Sequence, residues 1–254
     1  MRLIDSHAHL EQIPNLENAI YNASRVGVIA IVTAGSDHQS NEHALQISEA
    51  SYPQLKVYPA LGIHPWNLVA SHISSSLEFI KNHVHQAVGI GEIGLDYWLK
   101  GARKDPTKKE LQRSVFKSLL EIAVKYDKPV IVHSRGAWED CFQMVKDSGV
   151  QKAVFHWFTG PLETLSGILD CGYFISATPA AEYSKEHRAV IMKTPLERIL
   201  LETDSPVSYR GREAEPADVI KTLSAVANLK NAEESNLASV TTENAIRLFG
   251  LKEL

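Results

Sequence analysis

The chain has 254 residues, 44% of them hydrophobic, enough to bury a core in one large α/β domain or two small ones. Lys plus Arg number 26 against 30 Asp plus Glu, and a net charge of −4 excludes a strongly basic nucleic-acid-binding protein while allowing a pocket that grips one phosphate. Cys141 and Cys171 are too few for a disulfide framework and lack the paired spacing of a thiolate zinc site, so both read as buried or half-buried thiols.

In chain order, short β-branched runs alternate with amphipathic stretches. A strand over 3–5 precedes a helix near 16–26, a strand over 29–33 a helix near 42–50, and a strand over 57–61 a helix near 77–83. The fourth strand, 87–90, leads to the clearest helical pattern, where Leu111, Val115, Leu119, Ile122 and Tyr126 trace one face. Strands over 130–132, 153–155 and 173–175 alternate with helices near 138–147, 162–169 and 185–192. An eighth strand over 199–201 is followed by helices over 216–227 and 233–249. Eight such units with no dividing linker predict a single α/β domain over 1–254, a (β/α)8 TIM barrel with additional C-terminal helices. No window reaches the roughly 18 apolar residues of a membrane span, and no secretory pattern opens the chain. The expectation is a cytoplasmic enzyme with no membrane partner. No protein partner can be inferred.

The longest irregular stretches, 62–72, 95–106 and 205–215, each follow a strand, and such loops carry the active site of this kind of barrel. The first strand ends in His7 and His9, whose i, i+2 spacing puts both imidazoles on one face. The same spacing at His83 and His85 precedes a strand, on the stability face. Glu92 stands at the end of the fourth strand, His133 of the fifth, His156 of the sixth and Asp204 of the eighth. The other histidines, His38, His43, His72 and His187 among them, fall in helices or in loops before strands. Four imidazoles and two carboxylates are too many for one catalytic metal with an open position, and suit two ions sharing a carboxylate. The segment Gly89-Ile90-Gly91-Glu92-Ile93-Gly94 matches a dinucleotide fingerprint in form only, because a loop follows it and Glu92 would repel pyrophosphate. Its glycines fit close backbone approach around a carboxylate ligand.

On the same rim, His64 can donate a hydrogen bond to substrate or brace a loop. Arg135 can contact an anion or form a rim salt bridge. Trp66, Trp98 and Trp157 offer either base stacking or packing.

With these segments assembled, the chain resembles the TatD family of metal-dependent deoxyribonucleases. The resemblance rests on Asp5-Ser6-His7-Ala8-His9, Gly62-Ile63-His64-Pro65, Gly91-Glu92-Ile93-Gly94-Leu95-Asp96-Tyr97, Val132-His133-Ser134-Arg135, Phe155-His156-Trp157-Phe158-Thr159-Gly160, Glu202-Thr203-Asp204-Ser205-Pro206 and Asn244-Ala245. It implies that His7, His9, Glu92, His133, His156 and Asp204 hold the metals, with Glu92 bridging, and that His64 contacts phosphate. It also implies hydrolysis of DNA phosphodiesters, often from the 3′ end. Trp157 stands where the family commonly has Cys, and Ala214-Glu215-Pro216 replaces the usual Asn-Glu-Pro.

The expected cofactors are two divalent ions, Zn, Mn, Ni or Mg, with Asp204 orienting the attacking water. Glu92 and His64 are the other expected catalytic residues, and His64 and Arg135 the substrate contacts. The modest charge favours an exonuclease on single-stranded or frayed ends. The alternatives are an ester or amide hydrolase, such as a D-aminoacyl-tRNA deacylase, and a non-catalytic metal-binding protein.

Overall fold

The β-branched runs build one eight-stranded parallel sheet in the computed structural model, which describes residues 1–50, 52–252 and 254. Its strands are β1 (Leu3–Ala8), β2 (Val28–Ala34), β3 (Lys56–Leu61), β4 (Gly89–Gly94), β5 (Val130–His133), β6 (Ala153–Phe155), β7 (Phe174–Ala177) and β8 (Ile199–Leu201). They neighbour one another in sequence order. The crossovers are α1 (Leu16–Arg25), α2 (His38–Glu49), α3 (Ile73–His83), α4 (Pro106–Lys125), α5 (Trp138–Ser148), α6 (Leu162–Asp170) and α7 (Lys185–Lys193). The tail adds α8 (Val219–Lys230) and α9 (Glu234–Phe249). This is the expected barrel with additional C-terminal helices. No helix among the described residues is long and apolar enough to cross a membrane.

Alternation along the strands divides the apolar residues between two layers. Leu3, Ile31, Leu61, Ile90, Val132, Phe155, Ile175 and Leu201 pack in the main core with the surrounding helices. Ile4, Val32, Ala60, Ile131, Val154, Phe174 and Leu200 cluster instead with Ala245, Leu248 and Phe249 of α9. Asn244, at the start of that group, donates from Nδ2 to the carbonyls of Leu196 (2.8 Å) and Ile199 (2.9 Å), tying α9 to the start of β8. Both thiols are free, with Cys141 buried and Cys171 half-buried.

The seam between β8 and β1 is closed beyond the end of β8. The Asp204 amide donates to His7 O (2.9 Å) and the His9 amide to Ser205 O (2.7 Å). The Thr203 amide and hydroxyl donate to the two oxygens of buried Asp5, at 2.9 and 2.6 Å. Three of the residues that complete the barrel, His7, His9 and Asp204, are therefore ones expected to bind metal.

Several boundaries differ from expectation. β1 and β4 run on to Ala8 and Gly94, so His7 and Glu92 lie inside strands. Histidine, glycine and glutamate carry little strand propensity, and the ladder to neighbouring strands overrides it. The stretch 205–215 contains a short hairpin, Ser208–Tyr209 with Arg212–Glu213, turned by Arg210 and Gly211 at positive φ. The helix expected over 216–227 begins as a 3-10 turn, Pro216–Asp218, before α8.

Candidate metal centre

Glu92 is 2% exposed, and its two carboxylate oxygens face different imidazoles. Oε2 lies 3.4 Å from His7 Nε2 and 3.3 Å from His9 Nε2. Oε1 lies 2.8 Å from His133 Nδ1, 2.9 Å from His156 Nε2 and 3.3 Å from His64 Nε2. Asp204 brings Oδ1 to 3.4 Å from His7 Nε2 and 3.6 Å from His9 Nε2. Among the described residues, three overlapping triads could hold an ion: His7, His9 and Asp204; His7, Glu92 and His156; His64, Glu92 and His133.

The donor set fits divalent metal. Ligands about 2.0 to 2.1 Å from one tetrahedral ion stand about 3.3 Å apart, close to the separations around His7 and His9. Both ring nitrogens of His7 are buried and make no hydrogen bond among the described residues, although Nε2 is aimed between two carboxylates. Such an orphaned polar ring is costly unless something else engages it.

Three of the four expected imidazole ligands are held by their other nitrogen. His9 Nδ1 lies 2.9 Å from Ala34 O, His133 Nε2 3.0 Å from Asp96 Oδ2, and His156 Nδ1 3.3 Å from Glu202 Oε1. A proton donated outward on each leaves the lone pair on the nitrogen facing Glu92. His64 is reversed. Its Nδ1 accepts from the Trp66 amide at 3.1 Å, so the neutral ring carries its proton on Nε2, facing Glu92. Burial pushes His64 down to about 4, against the pull of Glu92, so the ring is neutral at pH 7. His64 is a donor by this geometry.

Burial opposes charge on His7, His9, His133 and His156, but nearby carboxylates outweigh it and raise all four, His7 to about 10. Burial likewise opposes ionisation of Glu92 and Asp204, and contacts with imidazoles hold both below their usual range. The metal-free cluster is a proton store. Loading with Zn2+ at pH 7 is expected to expel the His7 proton, so calorimetric heats should vary with the buffer's ionisation enthalpy. Heats that are the same in all buffers would contradict this. Since the His7 pKa is raised on folding, its contribution to metal-free stability is full below about 6.5 and lost as pH rises through about 10.

A model of the TatD related DNase family matches residues 4–250. The chain belongs to this family. A metal-dependent hydrolase of Bacillus subtilis, YabD, is 33% identical, the match covering 97% of this chain and 98% of that protein. Deoxyribonuclease TATDN3 of Homo sapiens is 29% identical over 97% of this chain and 94% of its own length. The crystal structure of YJJV, a TatD homolog from Escherichia coli K12, superposes with a TM-score of 0.88 at 26% identity, covering 99% of each chain.

Both departures from the TatD pattern fall in one satellite cluster, where Ala214 and Tyr209 are buried and half-buried Trp157 packs against them. The Trp157 and Tyr209 rings lie 5.2 Å apart, so this tryptophan has a packing role. Arg135 forms a salt bridge through Nε to Asp96 Oδ2 at 2.9 Å, and its terminal nitrogens make no other hydrogen bond among the described residues. Of the histidines outside the TatD motifs, His38, His83, His85 and His187 have partners other than Glu92 and Asp204. His38 meets Glu42 and Phe79, His83 stacks on Phe79, His85 packs edge-on to Tyr126, and buried His187 links Thr178 to Phe158.

Asp96 lies within a motif that carried the resemblance, yet sequence reasoning gave it no role. Its Oδ2 accepts from Trp66 Nε1 (2.7 Å), Arg135 Nε (2.9 Å) and His133 Nε2 (3.0 Å). Oδ1 accepts from the amides of Trp98 and Leu99, both at 2.9 Å. Burial opposes its ionisation, and these donors overcome it and hold the carboxyl far below the usual range. Gly94, at φ +143°, lets the chain reach this position, since a Cβ there would lie 1.9 Å from His133 O. Five converging donors require an acceptor-only group. Asp96→Asn would turn an amide toward some of them, and metal affinity is expected to fall about 10- to 100-fold, read by competition with a chelating dye. Unchanged affinity would remove Asp96 from the support of His133. Glu202 plays the matching part for His156, and also accepts from the Trp157 amide at 3.1 Å. The only advance signal for either was an acidic residue beside a ligand motif.

Proposed function

We propose that this chain is a divalent-metal-dependent hydrolase that removes nucleotides from the 3′ ends of single-stranded or frayed DNA. The observation that carries the reading is Glu92, whose two oxygens face separate groups of imidazoles, an arrangement suited to two ions sharing one carboxylate. The relatives, named a metal-dependent hydrolase and a deoxyribonuclease, support the reaction class. His7, His9 and Asp204 would hold one ion, His133 and His156 the other, and Glu92 both. Imidazole with carboxylate suits Zn, Mn or Ni, and Mg is the weaker fit.

When bound, such ions lower the pKa of water from about 15.7 toward 7 and polarise a phosphoryl oxygen. Asp204 is the proton acceptor, since it is ionised and buried beside His7 and His9. His64 donates from Nε2 to a phosphoryl oxygen in place of Glu92, and its neutrality at pH 7 suits a donor that carries no charge into the pocket. Arg135 offers its terminal nitrogens to a neighbouring phosphate while Asp96 fixes its Nε. One domain spans the chain, and its free thiols accord with a cytoplasmic setting.

The test is to load the purified protein with each metal in turn and assay an end-labelled single-stranded oligonucleotide, an aminoacyl-tRNA and a simple ester. Release of single nucleotides from the 3′ end is expected. Internal cuts in a circular single strand would count against the exonuclease reading. Release of an amino acid without nucleotides would assign the site to acyl chemistry.

A further inference from the structure

The net charge of −4 conceals a local excess of the opposite sign. Between 97 and 109, in the loop from β4 to α4 and the first turn of that helix, five cations stand against one acid, Asp105. The Asp105 side chain caps α4, accepting from the amides of Thr107 (2.9 Å) and Lys108 (3.3 Å). Lys100, Arg103 and Lys104 are exposed and form no ion pair among the described residues. The loop is nevertheless anchored: Ala102 is 0% exposed, and the Ala102 and Arg103 amides both donate to Leu99 O.

The same loop carries Trp98, 57% exposed. Its ring lies over Gly136, where a Cβ would come within 2.3 Å of the indole, and meets Trp138 edge-on at 5.4 Å. Gly136 follows Arg135, whose guanidinium carbon is 4.9 Å from the Trp66 ring. Trp66 is 50% exposed, yet its indole N–H is fixed on Asp96 and its ring meets His64 edge-on at 4.8 Å. Tryptophan is normally well buried, and two half-open rings held this firmly contribute little to a core. Trp98 reaches Arg135 by way of Gly136, and from Arg135 the contacts run through Trp66 and His64 to Glu92.

We propose that this series is a binding track for the single strand that leads to the metal centre. Bases stack on Trp66 and Trp98, and backbone phosphates meet Lys100, Arg103 and Lys104. Stacking of this kind tolerates any base, and a short basic path needs no basic protein around it. The inference rests on the nuclease reading and adds where the strand lies outside the reacting nucleotide.

Hydrolysis of a single-stranded 12-mer is to be compared with that of a dinucleotide, for the metal-loaded wild type, W98A, W98F and the triple variant K100A/R103A/K104A. None of these side chains touches the metal centre. W98A is expected to lower kcat/KM for the 12-mer by about 5- to 150-fold, with dinucleotide cleavage unchanged and W98F retaining most of the wild-type ratio. The triple variant should flatten the dependence of log affinity on log salt by about 0.7 for each phosphate that is no longer neutralised. If the wild type cleaves both substrates and neither W98A nor the triple variant changes the ratio between them, the track is wrong and the nuclease reading stands. Equal losses on both substrates would also overturn the track. If the wild type cleaves neither, the nuclease reading falls and the track with it.

Discussion

Replacing Asp204 by asparagine is expected to lower kcat by about ten-thousand-fold, the upper range for loss of a general base, with the fold intact. Asparagine keeps the size of the side chain and tolerates the backbone φ of +52° at this position. The Asp204 amide still donates to His7 O, so the barrel seam is retained. What disappears is the ionised oxygen 3.4 Å from His7 Nε2 and 3.6 Å from His9 Nε2. Asp204→Ala should lose a similar factor at some extra cost in backbone strain. Single-turnover rates, taken with circular dichroism and metal content, separate loss of the proton acceptor from loss of metal. A fall of less than about tenfold, small against what a general base contributes, would remove Asp204 from the chemistry.

Glu92→Gln is expected to be as damaging, for a different reason. Each carboxylate oxygen faces its own group of imidazoles, so whichever way the amide turns, one group meets an NH2 donor. The variant should retain about one metal per chain in place of two, read by elemental analysis after dialysis, and lose most of its turnover. It should also destabilise the metal-free protein. Four raised imidazoles would then be buried without their shared counter-charge, and breaking a buried pair in this way costs about 3 to 5 kcal/mol. Two retained metals and an unaltered melting temperature after chelation would rule out a bridging role.

The barrel was legible because its strands are short β-branched runs bounded by turns, and because an amphipathic face such as Leu111 to Ile122 has one period. The six expected ligands could be chosen because a parallel barrel brings all its strand ends to one mouth, and they do converge there. The polar support was not legible. Asp96 and Glu202 differ from other acidic residues only in which imidazole they reach, and this depends on how the chain bends at Gly94 and Trp157, both at positive φ. The orientation of His64 was equally hidden, since a single amide from Trp66 decides which of its nitrogens carries the proton. Charge summed over the whole chain masks the cations beside Trp98.

The seam gives the fold an order of events. His7 and His9 belong to the first strand of the barrel and Asp204 follows the last, and they meet only where Thr203 and Asp204 dock on Asp5 and His7. A nascent or truncated chain with seven strands therefore has no complete centre, however well formed its helices. A metal held by His7, His9 and Asp204 would act as a ring fastener, able to engage only once the two ends of the sheet meet.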